Sequence, residues 1–377
     1  FFIYTLGGSV ITLLGVFGII LACYTKNNVL TFSIPRLVET VNLPINLQDK
    51  DWPAIQFWVF LALMAGFAIK VPLVPLHTWL PLAHVEAPTA GSVLLAGILL
   101  KIGAYGFLRL CLPLAPHASV ALGVPLIGTL AVVGIVYGAF CALGQTDIKK
   151  LVAYSSVSHL GFCMLGMFAL NLAGLSGSML QMINHGLSTG GLFLLVGMLY
   201  ERYHTRVMAE YGGMAARLHL LGLFMMFIIL TSIGLPGLNG FVGEVLVLMG
   251  AFDFQWARNE WPVLAVVAST GIVLGAWYLL TMWYRVFCGP VREPAPAEHG
   301  EHHPIHDLNL RELAALVPIA VFCLVIGIYP QFFLVPMERD LTVVAQIVNP
   351  AGKQATAGLP FGGPQKVAQI NPRGEAP

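Results

Sequence analysis

The sequence is dominated by long apolar stretches, each about as long as a helix that crosses a lipid bilayer. A spanning helix needs about 20 predominantly apolar residues. Nine stretches meet this requirement, so we expect an all-α, polytopic transmembrane helix bundle. They lie at roughly 1–23, 53–82, 91–112, 119–144, 150–171, 178–200, 218–251, 262–284 and 312–335.

Composition supports a membrane protein and excludes several other classes. Hydrophobic residues make up 57% of the chain and charged residues only 10%, against about 25% charged in soluble domains. A net charge of +1 gives no reason to expect a nucleic-acid partner. The sequence has no C-x-x-C pair, no GxGxxG turn and no P-loop. We therefore predict no metal site, no redox centre and no nucleotide cofactor in this chain.

Two of the nine stretches are predicted to be discontinuous helices. In 53–82, Pro72 and Pro75 prevent one unbroken helix. The stretch 218–251 would be about 51 Å long at 1.5 Å per residue, which is too long for one crossing. Its centre is TSIGLPGLNGFVGE, where glycine and proline favour unwinding.

Segments outside the apolar stretches have their own predictions. The linker 24–52 is polar and is expected to be extended, and the tail 336–377 is rich in Gly, Pro, Gln and Ala and is expected to be disordered. The loop 290–310 carries clustered histidines without a fixed spacing, which favours a solvated loop over a metal site. These are His299, His302, His303 and His306.

Lysine and arginine in the short loops predict the orientation of the chain. Positive residues concentrate on the cytoplasmic side of membrane proteins. The loops after the second, fourth, sixth and eighth stretches hold Lys149, Lys150, Arg202, Arg206, Arg217, Arg285, Arg292 and Arg311, whereas those after the third, fifth and seventh hold only Arg258. The first group is therefore placed in the cytoplasm and the C-terminus outside.

Five ionisable residues fall inside the apolar stretches. Lys101 and His159 lie near the middle of theirs, His185 lies about a third of the way in, and Lys70 and Glu244 border the two breaks. Lysine at a bilayer centre costs roughly 2.5–3.5 kcal/mol on insertion scales, so such residues indicate function. Burial also moves amine and carboxyl pKa values toward neutrality. The set predicts a proton relay, although a single histidine could be a core residue and Lys70 could extend to the interface.

The residues around these positions resemble a known family, the antiporter-like M subunits in the proton-pumping arm of respiratory complex I, NADH:quinone oxidoreductase. The resemblance runs from residue 1 to about 335. It is carried by LPLAHVEAPTAGSVLLAGILLKIGAYG, DIKKLVAYSSVSHLGFCMLG, INHGLSTGGLFLLVGMLYER and GLPGLNGFVGE. The histidine at position 84, with EAPTAGSVLLAG beginning two residues later, is more similar to M subunits than to their L and N relatives.

The resemblance implies a role for each of the five residues. Lys70 resembles the family lysine that pairs with a glutamate on an earlier helix, and Lys101 resembles the central lysine of the proton path. His159 and His185 resemble the histidines that connect the central lysine to the exit half. Glu244 resembles the terminal charged residue of that path.

The resemblance also implies an organisation. Family members have about fourteen helices in inverted five-helix repeats, so 1–112 is expected to be the remainder of a first repeat, 119–284 a second repeat and 312–335 a final helix. The glutamate partner of Lys70 is then expected in N-terminal helices missing here or supplied by another chain. Further implied partners are lipids and the other membrane-arm subunits, especially the L and N types. NADH, FMN, iron–sulfur clusters and quinone are expected in partner subunits, and the implied location is a bacterial inner membrane rather than an organellar one.

Two alternatives stay open from sequence. A homologous cation/proton antiporter subunit would use the same lysines. A structural membrane scaffold would have no ion path, and the buried charges count against it.

Overall fold

The structure, a computed structural model, describes residues 2–253, 261–294 and 305–349, and these residues form a bundle of helices. In chain order the helices are α1 (Phe2–Asn27), α2 (Ile34–Val41), α3 (Pro44–Gln48), α4 (Trp52–Lys70), α5 (Trp79–Glu86), α6 (Thr89–Leu114), α7 (Pro116–Leu143), α8 (Ile148–Phe168), α9 (Leu172–Tyr203), α10 (His219–Ile233), α11 (Asn239–Phe252), α12 (Trp261–Phe287), α13 (Leu310–Ile328) and α14 (Gln331–Val348).

The predicted membrane-spanning stretches all coincide with helices. Eight helices in the described part of the chain are long and apolar enough to cross a membrane, namely α1, α4, α6, α7, α8, α9, α12 and α13. The remaining predicted stretch, 218–251, is divided between the shorter apolar helices α10 and α11. The fold class predicted from sequence is confirmed.

Both predicted helix breaks are present. Helix α4 ends at Lys70, and the chain unwinds before α5 begins at Trp79, whose indole nitrogen donates a hydrogen bond to the Ile69 carbonyl (2.9 Å). The second break separates α10 from α11, where Gly234 and Gly237 have φ of +79° and +90°. Glycine adopts this left-handed region without the Cβ clash that other residues meet.

Helices α8 and α9 form the centre of the bundle. Nearly every residue of α8 is buried, including the polar Ser155, Ser158 and His159. The two helices are joined inside the membrane by the Ser178 hydroxyl, which donates to the Cys163 carbonyl (2.7 Å). Polar residues on these helices therefore face protein, which is the condition for ionisable groups at membrane depth.

The linker 24–52 is not extended as predicted. It contains α2 and α3, which Asn46 connects by donating from its side chain to the Thr40 carbonyl (2.6 Å). Lys26 at the end of α1 forms ion pairs with Asp49 (2.8 Å) and Asp51 (3.0 Å), and this contact holds the pKa of Asp49 below its usual range. Polar composition did not reveal that this segment folds back on the ends of the spanning helices.

The predicted disorder after 335 is also wrong for part of the segment. The last predicted stretch ends earlier, at Ile328, and α14 then continues to Val348 with Pro336 inside it. Packing explains this, because Leu334 and Leu341 are buried against the bundle and outweigh the hydrogen bond that proline removes. The predictions for 350–377 and for His299, His302 and His303 lie outside the described residues.

Candidate functional site

Lys101 lies on α6 between two turns of π-helix, Leu95–Leu99 and Phe107–Cys111. Its ammonium contacts the Ala96 carbonyl and lies 2.6 Å from Nδ1 of His185 on α9. Turns of π-helix inside α-helices are rare and occur often at functional sites. The lysine that sequence places at the middle of a span is therefore in direct contact with a second predicted site residue.

The contact with Lys101 determines where His185 carries its ring proton when the lysine is charged. An ammonium group only donates, so Nδ1 of His185 must accept and the ring proton lies on Nε2. This Nε2 is buried and has no hydrogen-bond partner within the described residues. The ring centroid of His185 is 5.9 Å from that of His159 on α8, a gap that one water molecule or a ring rotation can bridge.

His159 and Glu244 form the other end of this series. Nδ1 of His159 lies 3.4 Å from Oε1 of Glu244 on α11, and both side chains are almost fully buried. On its other side, Nε2 of His159 lies 3.4 Å from the hydroxyl of Tyr278 on α12. The amide of Gln181 donates to the same carboxylate oxygen of Glu244 (3.3 Å). Glu244 is thus held by two neighbours inside the protein.

Four of the five predicted residues therefore lie in one series across the bundle, with a gap between its two histidines. The order is Lys101, His185, His159 and Glu244, contributed by α6, α9, α8 and α11. Each of these groups can gain or lose a proton; His185, His159 and Glu244 are buried, and Lys101 is partly buried. The arrangement can chemically pass protons along the membrane plane.

Lys70 is not part of this series. It is half-buried at the end of α4 and lines a cavity of about 430 Å³ together with Thr5 and Ser9 of α1. Within residues 2–253, 261–294 and 305–349, no carboxylate lies within 4 Å of its ammonium. The predicted glutamate partner stays a prediction.

Several site residues were not predicted from sequence. Gln181 lies one turn before His185 on α9 and Asn184 directly precedes it, and this spacing of polar residues in an apolar helix could have revealed them. Asn184 donates to the carbonyl of Asn239 at the start of α11 (2.7 Å). Tyr278 gave no sequence indication, since tyrosines are common in membrane helices and only the fold places this one on His159.

A polar cleft lies at the predicted cytoplasmic end of the bundle. It has a volume of about 350 Å³ and is lined by residues that include Lys149, Phe193 and Arg206. The ring of His84 is fully buried and stacks on Phe193, with centroids 4.4 Å apart. Neither ring nitrogen has a hydrogen-bond partner among the described residues. His84 thus lies directly against a residue that lines the cleft.

Comparison with known proteins identifies relatives with the same fold. Residues 1–275 match the family described as NADH:quinone oxidoreductase/Mrp antiporter, transmembrane. NADH-quinone oxidoreductase subunit M of Pseudomonas aeruginosa is 42% identical over 331 residues, which is 88% of this chain and 60% of the relative. NADH-ubiquinone oxidoreductase chain 4 of Chondrus crispus is 41% identical over 89% of this chain and 62% of the relative. The chain thus spans about three fifths of the length of these relatives.

Solved structures give the same picture. A chain of respiratory complex I from Thermus thermophilus with bound NADH superposes with a TM-score of 0.79 at 32% identity, covering 92% of this chain and 68% of that one. A chain of the Mrp complex from Dietzia superposes with a TM-score of 0.73 at 20% identity, covering 92% of this chain and 67% of the other. The second likeness shows a shared fold alone.

Proposed function

Because this chain belongs to the NADH:quinone oxidoreductase/Mrp antiporter membrane family, we propose that it translocates protons as a membrane subunit of an NADH:quinone oxidoreductase. The observation that carries the proposal is the series Lys101, His185, His159 and Glu244, of which Lys101 is partly buried and the other three are buried. A scaffold has no need for four titratable groups in mutual reach at membrane depth, where each charged one is costly.

Each residue has a role in this proposal. Lys101 holds the central proton and passes it to Nδ1 of His185, which it contacts at 2.6 Å. His185 then releases its Nε2 proton toward His159 across the 5.9 Å gap. His159 transfers a proton from Nδ1 to the Glu244 carboxylate. Histidine suits the middle of this relay because it can bind a proton at one nitrogen and release one from the other.

The two ends of the series have different surroundings. On the predicted cytoplasmic side, the cleft with Lys149 and Arg206 and the adjacent His84 supply a polar approach toward Lys101. At the other end Glu244 lies one turn into α11, beside the break at Gly234, and α11 runs from there to the predicted outer side. Protons are therefore taken up near His84 and released past the break.

Redox chemistry belongs to other subunits in this proposal. NADH, FMN, iron–sulfur clusters and quinone are bound elsewhere, and quinone reduction drives the transfer through coupled membrane-arm subunits, including the L and N types. The bacterial plasma membrane is the proposed location.

A second candidate is a subunit of a cation/proton antiporter, which the fold shared with the Mrp complex favours. The two functions differ in the subunits that bind the chain and in the reaction that drives ion transport. Copurification with quinone-reducing subunits supports the first. Sodium resistance conferred on an antiporter-deficient cell without quinone reduction supports the second.

The test is Lys101→Ala in the assembled complex, reconstituted in sealed vesicles. Removing a charge from mid-membrane eases insertion, so assembly should be preserved while most proton uptake coupled to NADH oxidation is lost. Lys150→Ala, at the cytoplasmic start of α8, is the control and should pump normally. Wild-type pumping by Lys101→Ala would remove this series from the proton path.

A further inference from the structure

Helices α9 and α11 are packed closer together than side chains ordinarily allow. A Cβ atom on Gly177 of α9 would lie 2.5 Å from the backbone nitrogen of Val247 on α11. The interface repeats this pattern at Gly243, where a Cβ would collide with Gln181. Such close approach fixes the position of one helix on the other, because the backbones themselves are in contact.

Side chains of α9 also hold α11 by hydrogen bonds along its length. Asn171, the N-cap of α9, donates to the Gly250 carbonyl at the outer end of α11 (2.7 Å). Asn184 donates to the Asn239 carbonyl at the first residue of α11 (2.7 Å), and Gln181 donates to Glu244 between them. The amide of Asn239 returns a weaker bond to the Asn184 carbonyl (3.5 Å). We call Asn184 and Asn239 the asparagine clasp.

The other half of the discontinuous helix is anchored elsewhere. Helix α10 begins where the Asp307 carboxylate accepts hydrogen bonds from the backbone nitrogens of Leu220 (2.7 Å) and Leu221 (3.1 Å). Between α10 and α11 the chain turns through Gly234 and Gly237, both in the left-handed region. Helix α11 is therefore held by hydrogen bonds from α9 along its length, and its first turn also packs on the end of α10, where a Cβ on Gly240 would collide with the Thr231 carbonyl.

The clasp leaves polar atoms without partners, which argues against a purely stabilising role. Asn184 and Asn239 are 1% and 0% exposed, and the Oδ1 atom of each is buried without a hydrogen-bond partner in the described structure. An apolar pair of similar volume would avoid these orphaned oxygens. The asparagines provide a directional hydrogen bond, which an apolar pair cannot form. This bond determines where α11 begins.

We propose that Asn184 and Asn239 are positioning residues, which hold α11 on α9 so that the Glu244 carboxylate stays within reach of His159. This inference rests on the proposed proton path, since it concerns the last transfer in that path. Glu244 is one turn beyond Asn239 on the same helix, so movement of the clasp displaces its carboxylate from Nδ1 of His159. Without the clasp, α11 shifts at the break and Glu244 becomes accessible from it.

The experiment measures the accessibility of Glu244 directly. Dicyclohexylcarbodiimide, an apolar reagent that modifies protonated buried carboxyl groups, is added to the assembled complex, and labelling of Glu244 is followed by mass spectrometry. Asn184→Ala removes the 2.7 Å bond and should raise the labelling rate at least about twofold, which corresponds to the lower end of the coupling energies between contacting residues. It should also lower the number of protons pumped per electron.

Asn239→Ala is a second variant, in which we expect a smaller change in the labelling of Glu244. The Asn239 carbonyl that accepts the strong bond belongs to the backbone and survives this substitution, so only the 3.5 Å bond is lost. We expect a smaller increase than for Asn184→Ala, and the double variant, which loses both bonds, should be labelled at least as fast as Asn184→Ala. Asn184→Leu keeps the buried volume and replaces Asn184→Ala if that variant assembles poorly.

Ser158→Ala is the matched control, because Ser158 donates an equally buried bond from α8 to the Ile135 carbonyl of α7 (2.9 Å). It should leave Glu244 labelling unchanged. The proposal is overturned if Asn184→Ala labels no faster than Ser158→Ala, or if Asn239→Ala has the larger effect. Labelling does not depend on pumping, so failure of the proton path in the Lys101→Ala test is seen separately.

Discussion

At the scale of single residues, His159 is the only histidine of the series with partners at both ring nitrogens. Its Nδ1 lies 3.4 Å from Glu244 and its Nε2 lies 3.4 Å from the Tyr278 hydroxyl. When Glu244 is ionised, Nδ1 must carry the proton and Tyr278 must donate to Nε2. When Glu244 is protonated, the ring proton can move to Nε2 and the Tyr278 hydroxyl can turn to its other neighbour, Ser155. Tyr278 thus responds to the proton on Glu244.

The first prediction at this scale concerns Tyr278→Phe. It leaves Nε2 of His159 without a partner, which costs roughly 1–3 kcal/mol for a buried polar group. We expect reduced pumping with normal assembly, and a changed tautomer band for His159 in infrared difference spectra of complex containing isotope-labelled histidine. Tyr284→Phe on the same helix is the control, since Tyr284 is 70% exposed. An unchanged His159 band in Tyr278→Phe would show that the hydroxyl has no influence on the tautomer.

The second prediction at this scale separates a proton-carrying Glu244 from a structural one. Glu244→Gln keeps the size of the side chain and an oxygen that accepts the hydrogen bond from Gln181, but an amide does not titrate near neutral pH. We expect normal assembly on a native gel and loss of most proton pumping per electron. Glu244→Asp retains the acid on a shorter stem and should keep part of the activity. The reverse order, with Gln active and Asp inactive, is the outcome that a structural role gives.

At the scale of elements, the helices and their breaks could be predicted from the sequence, but the contacts between helices could not. Long apolar stretches predicted the spanning helices because a bilayer permits few other structures. Proline and glycine predicted both breaks for local steric reasons. In contrast, α2, α3 and α14 were missed because their stability comes from packing on the bundle, and neither composition nor Pro336 indicates that.

The candidate site was also predicted in part: its charged residues were found from sequence, but their arrangement was not. Charges in an apolar stretch are conspicuous, so Lys101 and Glu244 could be found from sequence alone, and Lys101, His185, His159 and Glu244 are brought together in space. Their order along the series depends on which helices are neighbours. That order, and the involvement of Tyr278 and the asparagine clasp, required the fold.

The prediction at this scale concerns the two glycines of the second break. Both have positive φ, so alanine at either one meets a backbone penalty of roughly 1–2 kcal/mol. A Cβ on Gly234 would also lie 2.8 Å from Oε2 of Glu244, whereas nothing lies within 4 Å of one on Gly237. Gly234→Ala and Gly237→Ala should therefore destabilise the complex similarly in thermal unfolding, and only Gly234→Ala should lower proton pumping. Equal pumping by the two variants would mean that the close approach of Gly234 to the Glu244 carboxylate has no part in proton transfer.

At the scale of the whole molecule, the distribution of charge determines which end of the series faces which compartment. The loops that carry most lysines and arginines lie at one end of the bundle, together with the cleft lined by Lys149 and Arg206. The linker with α2 and α3 lies at the other end, where Lys26 and Lys50 weaken the contrast. The positive-inside rule then predicts that the cleft faces the cytoplasm and the outer end of α11 faces outside, so that under the proposed function protons are taken up from the cytoplasm.

The last prediction tests this orientation with the protein's own cysteines. Cys288 follows α12 and is exposed, whereas Cys23, Cys111, Cys163 and Cys323 are buried and Cys141 is partly buried. In sealed right-side-out vesicles, a membrane-impermeant maleimide should leave Cys288 unlabelled until the vesicles are opened, because we place it in the cytoplasm. Lys50→Cys, on the exposed linker, should be labelled at once by the same reagent. Cys288→Ser in the Lys50→Cys background gives the control in which only the outer position reacts. Immediate labelling of Cys288 together with protection of Lys50→Cys would invert the orientation, and with it the direction of proton transfer from the cleft near His84 to Glu244.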